Sequence, residues 1–154
     1  MKHTVFIAYY TKDTPYKEIA EAKLIPSLDK FKLNYTVKEV PNLGTWYKNT
    51  AYKGQFVLDY LVDYPFEYNL VMLDVDCTIE KKPILFGEIP KEYDIALHYL
   101  DWKTWYGYKD SNERELLTGT MMFRNRPKLE LCVKNGTGKL MKLMSGNKKY
   151  YQRL

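Results

Sequence analysis

The stretch LVMLDVDCTI, residues 70–79, constrains the fold most: four apolar residues run without a polar break into Asp74 and Asp76. A short, continuous apolar run of this kind predicts a strand buried on both faces, so other layers must cover it above and below. Its end is the unusual part. Residues two apart on an extended segment point to the same side, and two carboxylates held together repel unless a cation or a proton lies between them. A divalent ion is one answer. Oxygen-only ligands favour Mg²⁺ or Mn²⁺, which would keep coordination places free for water and a diphosphate. The plainer answer is a turn in which both aspartates cap backbone N–H groups.

The rest of the chain supplies the layers. HTVFIAYYT (3–11) is β-branched and aromatic without clean alternation and predicts a central buried strand. Thr14 and Pro15 read as an N-cap and first helical residue, and Ile19, Ala20, Leu24, Ile25, Leu28 and Phe31 recur at helical spacing, with Pro26 expected to kink or split the helix. NYTVKEV (34–40) reads as a second strand and PNLGTW (41–46) as a loop. From about Thr50, the residues Tyr52, Phe56, Val57, Tyr60 and Leu61 form a helical stripe that ends before Pro65. After the strand at 69–75 come two more strand candidates, 94–100 and 116–123. The expected fold class is α/β, with a mixed, mostly parallel sheet flanked by helices. In such sheets, ligands bind outside the carboxyl ends of the strands, where Tyr9, Tyr10, Thr11, Asp74 and Asp76 all fall.

At 154 residues and 18.3 kDa the chain is expected to form a single domain over 1–154. Its 15 tyrosines and 3 tryptophans exceed what one core of this size needs, so some rings should line a site or an interface. No apolar run approaches the roughly 20 residues that cross a bilayer, and the N-terminal apolar segment lacks the length and cleavage site of a signal peptide. The expected location is therefore cytoplasmic. Cys77 and Cys132 share no metal-ligand spacing and read as buried reduced thiols. Charge is uneven: residues 121–154 hold nine Lys or Arg against Glu130 alone, so the net +5 of the whole chain leaves −3 for residues 1–120. A basic segment of this kind attracts an anionic acceptor, nucleic acid or a membrane surface to which the protein would bind peripherally, or serves as a solvated tail.

The ordered set FVLDYLVDYPFEYNLVMLDVDCTIEKKPILF, DIAL and LLTGTMMFRN resembles the nucleotide-diphospho-sugar transferases of the GT-A fold, particularly the glycogenin-like and related groups. The resemblance runs from the first strand to about Asn125. It implies a glycosyltransferase with a Rossmann-like GT-A sheet, a nucleotide-diphospho-sugar donor and Mn²⁺ or Mg²⁺ as metal. By position it implies Asp76 as chief metal ligand, with Asp74 sharing the metal or bonding the ribose. Tyr9, Tyr10 and Thr11 would border the base and ribose, and Lys53 would reach the donor phosphates. Thr118, Gly119 and Thr120 match the place where the family meets donor sugar or acceptor. Read from the residues themselves, Trp102 and Trp105, on the aromatic stretch between the last two strands, either join them by stacking on sugar faces or fill a loop folded back over the core. Related enzymes carry a carboxylate before a C-terminal glutamine; here Tyr151 precedes Gln152, so Gln152 alone matches a C-terminal site. The resemblance assigns no catalytic residue.

LVMLDVDCTI also resembles the first motif of the haloacid dehalogenase-like phosphatases, which implies Asp74 as nucleophile, Asp76 as general acid/base and Mg²⁺ on the phosphate. That pattern asks for a later strand ending in Thr118, a helix lysine at Lys128 and a downstream acidic pair. After Thr118 the only acid is Glu130. A third class, a non-catalytic nucleic-acid-binding module, would rest on the basic segment and exposed rings.

Overall fold

The computed structural model describes residues 3–127. Five strands, β1 (Thr4–Thr11), β2 (Tyr35–Val40), β3 (Asn69–Leu73), β4 (Ile95–Asp101) and β5 (Arg114–Arg124), form one sheet in the order β2-β1-β3-β5-β4. β1 pairs in parallel with both β2 and β3, while β5 runs antiparallel to both β3 and β4. Four strands thus point one way and β5 alone points back, which is the mixed, mostly parallel sheet expected.

The period of two in the interior strands explains their unbroken apolar character. Val5, Ile7, Tyr9, Leu70, Met72, Met121 and Phe123 share one core with Phe56, Val57 and Leu61 of helix α4 (Lys53–Asp63). Phe6, Ala8, Val71, Leu73, Val75 and Met122 share the other with Ala20, Leu24 and Leu28. Both faces are covered, so neither set of side chains can be polar. The edge strands β2 and β4 are half-buried or exposed over most of their length.

The first helical run divides into three pieces: α1 (Tyr16–Ile19), a π-helical segment (Ala20–Leu24) and α2 (Ile25–Lys30). Pro26 has no N–H to give the Ala22 carbonyl, and the helix widens over the preceding turn. The cap differs from the expectation. Thr14 does not cap; its hydroxyl donates to the Thr11 carbonyl (2.6 Å), and Pro15 takes the cap position, so the hydroxyl ties the helix entry to the end of β1. Two short helices escape the sequence pattern. α3 (Trp46–Ala51) starts inside the expected loop, capped by Thr45, and α6 (Trp102–Tyr106) is capped by Asp101 and closed by Gly107 at φ 72°. A further turn, α5 (Leu85–Glu88), lies between β3 and β4. Among the described residues no helix is long and apolar enough to cross a membrane. Lys128, Cys132, Gln152 and the rest of the basic segment beyond residue 127 lie outside the described residues.

Candidate functional site

β3 stops at Leu73, two residues before its expected end, so Asp74–Val75–Asp76 form a turn rather than an extended strand. Backbone bonds fix that turn on three sides. The Asp74 N–H donates to the Gly119 carbonyl of β5 (2.9 Å), the Cys77 N–H donates back to the Asp74 carbonyl (3.1 Å), and the Ile79 N–H donates to Ser27 Oγ of α2 (3.0 Å). The turn is therefore closed by main chain and by the Ser27 hydroxyl, and the aspartate side chains are not its caps.

Lys53 begins α4 and is only 6% exposed, unusual for a lysine at a helix start. Its Nζ meets Asp74 Oδ1 at 2.5 Å and lies 3.4 and 3.5 Å from the hydroxyl and carbonyl of Thr118. The other carboxylate oxygen, Oδ2, sits against Gly119, where an added Cβ would stand 3.2 Å away. The approach depends on an irregularity in β5: Leu97 and His98 of β4 pair with Met121 and Leu117, leaving Thr118, Gly119 and Thr120 without partners on that side. The strand bulges, and the bulge brings backbone to Asp74. Gly119→Ala is expected to lower stability by about 1 kcal/mol through overpacking and to weaken any ligand that uses Asp74. Thermal melting and ligand titration check it; an unchanged protein on both counts would show that this contact is not tight.

Asp76 is exposed, and among the described residues its carboxylate meets no hydrogen-bond or ion-pair partner. Asp74, Asp76, Lys53 and Thr118 line one cleft of about 530 Å³ with Tyr9, Tyr10 and Thr11 from the end of β1. On its far side stand Tyr16, Asn42, Gly44, Thr45, Trp46 and Asn49. These residues were not anticipated, although a glycine and a tryptophan in a turn-rich segment were the available signal. The loop is built rather than loose. Asn49 Oδ1 accepts from Leu43 N–H (2.7 Å), Asn42 Oδ1 accepts from Gly44 N–H (2.9 Å) and from Asn49 Nδ2 (3.1 Å), and Gly44 takes φ 87°. Tyr9 locks it to the sheet by donating its hydroxyl to the Asn49 carbonyl (2.6 Å). Burial first, then the negative charge of Asp74 and the neighbouring Tyr52, push the Tyr9 phenol well above its usual range, so it remains a donor. Burial, then Asp74 and Asp76, likewise push the half-buried Cys77 thiol up, which suits an inert thiol. Trp46, 73% exposed, presents its ring at the cleft wall.

The other expected residues lie elsewhere. Gly119 touches Asp74 from below, and Thr120 pairs with Leu73 without lining the cleft. Trp102 and Trp105 sit at the end of β4, two places along the sheet from β3, and do not line the cleft. There Trp102 donates to Glu115 Oε2 (3.3 Å) and packs against Tyr106 and Tyr108, while Trp105 is 71% exposed. His98, which reads as a core histidine by frequency alone, is exposed on the β4 edge. β5 also runs the wrong way for the phosphatase pattern: it is antiparallel to β3 and continues past Thr118 to Arg124, so Thr118 does not end a parallel strand.

No family model matches the chain, and no curated protein sequence matches it. Among solved structures, the fold is similar to that of a glycosyltransferase involved in the glycosylation of the major capsid of PBCV-1. The TM-score is 0.56 at 13% identity, over 96% of this chain and 73% of the other. At that identity the likeness is one of fold: a glycosyltransferase-like α/β domain with the cleft at the carboxyl end of its parallel strands.

Proposed function

We propose that the protein is a glycosyltransferase that takes a sugar from a nucleotide-diphospho-sugar donor in the cleft between β1, β3 and the 42–49 loop, with Mn²⁺ or Mg²⁺ as cofactor. One observation carries the reading. A buried lysine, two carboxylates and an open cleft converge at the carboxyl ends of parallel strands, in a fold similar to that of a known glycosyltransferase.

The residues fit a hard divalent cation. All its protein ligands would be oxygens, from Asp76 and from Asp74 Oδ2, and among the described residues no group of three His, Cys, Asp or Glu side chains forms a closed cage. An ion so held would complete its shell with water and donor phosphates, as Mg²⁺ and Mn²⁺ do, rather than with a full set of protein ligands as in a structural zinc site. When bound, it would stabilise negative charge on the departing diphosphate. The chain's own groups do the positioning. Lys53 offers its ammonium to the diphosphate, Tyr9, Tyr10 and Thr11 border the nucleoside, and the Thr118 hydroxyl faces the same space. The acceptor would be chosen in part by the basic 121–154 segment, which favours an anionic one.

Lys53→Met is expected to raise the donor dissociation constant about 10-fold, the worth of one charge-assisted bond. Calorimetric titration at saturating Mn²⁺ measures it, and an unaltered constant would remove Lys53 from the donor site. The activity itself is tested by incubating the protein with nucleotide-sugars and Mn²⁺ and following nucleoside diphosphate by chromatography. Release from one donor class supports the proposal. Hydrolysis of phosphate monoesters with every nucleotide-sugar left intact would replace it with the phosphatase reading.

A further inference from the structure

We infer that Lys53 is a built-in counter-ion that competes with the divalent cation for Asp74, so that metal and donor diphosphate bind cooperatively and metal alone binds weakly. The inference rests on the proposed donor site and adds the order in which that site is charged.

Three observations lead to it. Lys53 Nζ is 2.5 Å from Asp74 Oδ1, and its side chain is only 7% exposed, so the carboxylate is already neutralised within the protein. Asp74 thus has its counter-ion before any metal arrives, while Asp76 meets no partner among the described residues. A divalent ion approaching Asp74 must then use Oδ2, next to Gly119, while an ammonium remains on Oδ1. Cations that close together oppose each other, strongly where water is scarce. Metal binding without a second anion should therefore be poor.

A diphosphate changes this balance because it gives the ammonium somewhere else to go. The Lys53 stem is flexible and its head carries three donors. The hydroxyl and carbonyl of Thr118 already lie 3.4 and 3.5 Å from Nζ, so leaving Asp74 need not cost it every hydrogen bond. Once the phosphates hold the ammonium, Asp74 is released to the metal. Each ligand then tightens the other by the same factor, as linkage requires. The competing ammonium also keeps the empty cleft from holding a divalent ion tightly on its own.

The test is binding of Mn²⁺ alone, read from the electron paramagnetic resonance signal of the free ion, for the unmodified protein, Lys53→Met and Lys53→Arg. Thermal melting confirms that each variant is folded. Lys53→Met is expected to bind Mn²⁺ about 10-fold more tightly than the unmodified protein, within the range of typical coupling between sites, and Lys53→Arg, which keeps the charge, should stay close to the unmodified value. Equal affinity in all three proteins would overturn the competition while leaving the metal site standing. No Mn²⁺ binding in any of them, Lys53→Met included, would overturn both the competition and the metal-dependent reading. Should Lys53→Met melt too low to measure, Lys53→Gln carries the same comparison.

Discussion

Asp76→Asn is expected to abolish metal-dependent donor binding while leaving the fold untouched. The side chain is exposed, follows the end of β3, and meets no partner among the described residues, so its loss should change stability by less than about 0.5 kcal/mol, as for surface positions generally. Its functional weight follows from the ion pair beside it. With Asp74 Oδ1 held by Lys53, Asp76 is the carboxylate most available to a cation. Even an outer-shell partner of a metal ligand typically costs 10- to 100-fold when removed, so loss of a direct ligand should cost about 100-fold or more. Titration of the donor in Mn²⁺ should then give the affinity that unmodified protein shows in EDTA. Unchanged affinity in Mn²⁺ would mean that Asp76 holds no metal.

The second large effect concerns stability and lies at the opposite end of the sheet. Arg124, the last residue of β5, is 5% exposed, and among the described residues no carboxylate pairs with it. Its guanidinium is spent on neutral acceptors instead. Nε donates to Asn69 Oδ1 (3.0 Å), Nη1 to the carbonyls of Pro90 (2.8 Å) and Tyr93 (2.9 Å), and Nη2 to that of Ile89 (3.0 Å). One side chain thereby ties the start of β3 and the end of the 85–93 segment to β5. Arg124→Ala would remove four part-buried hydrogen bonds made by one charged donor, at a cost of about 3 kcal/mol. That corresponds to a fall in melting temperature of roughly 10 °C for a domain of this size. Urea denaturation measures the free energy directly. A loss below about 1 kcal/mol would mean that water replaces the guanidinium at these carbonyls. Arg124→Lys should fall between, since an ammonium keeps the charge but cannot reach acceptors spread over a fork.

Asn125 extends the same logic to the helix side. Its Nδ2 donates to the carbonyls of Leu61 (2.8 Å) and Tyr64 (2.7 Å), which would otherwise lie open at the C-terminal end of α4. The pair Arg124–Asn125 therefore anchors β5, and β5 in turn carries the bulge that meets Asp74.

The interior of the sheet was legible because burial on both faces leaves a plain mark: HTVFIAYYT and LVML read as inner strands. The positions of Asp74, Asp76 and Tyr9–Thr11 at strand ends followed from that. The direction of β5 carried no comparable mark in the residues themselves, although the stretch joining β4 to β5 holds only the five-residue α6 and no helix of the length a parallel crossover uses. Neither α3 nor α6 could be seen from apolar spacing, because helices of 6 and 5 residues are too short to show a periodic face. Their caps, Thr45 and Asp101, were the readable signals. Lys53 shows the limit most clearly. The family resemblance implied a donor role for it, but only the packing of α4 against the bulge at Thr118 makes it buried and paired with Asp74.

The most direct measurement is calorimetric titration of a panel of nucleotide-sugars into the purified protein, first with Mn²⁺ and then with EDTA. The cleft built from Lys53, Asp74 and Asp76 predicts that one nucleotide class binds in Mn²⁺ and that the binding disappears in EDTA. Equal binding in both conditions, or no binding of any nucleotide-sugar with Mn²⁺ present, would contradict it.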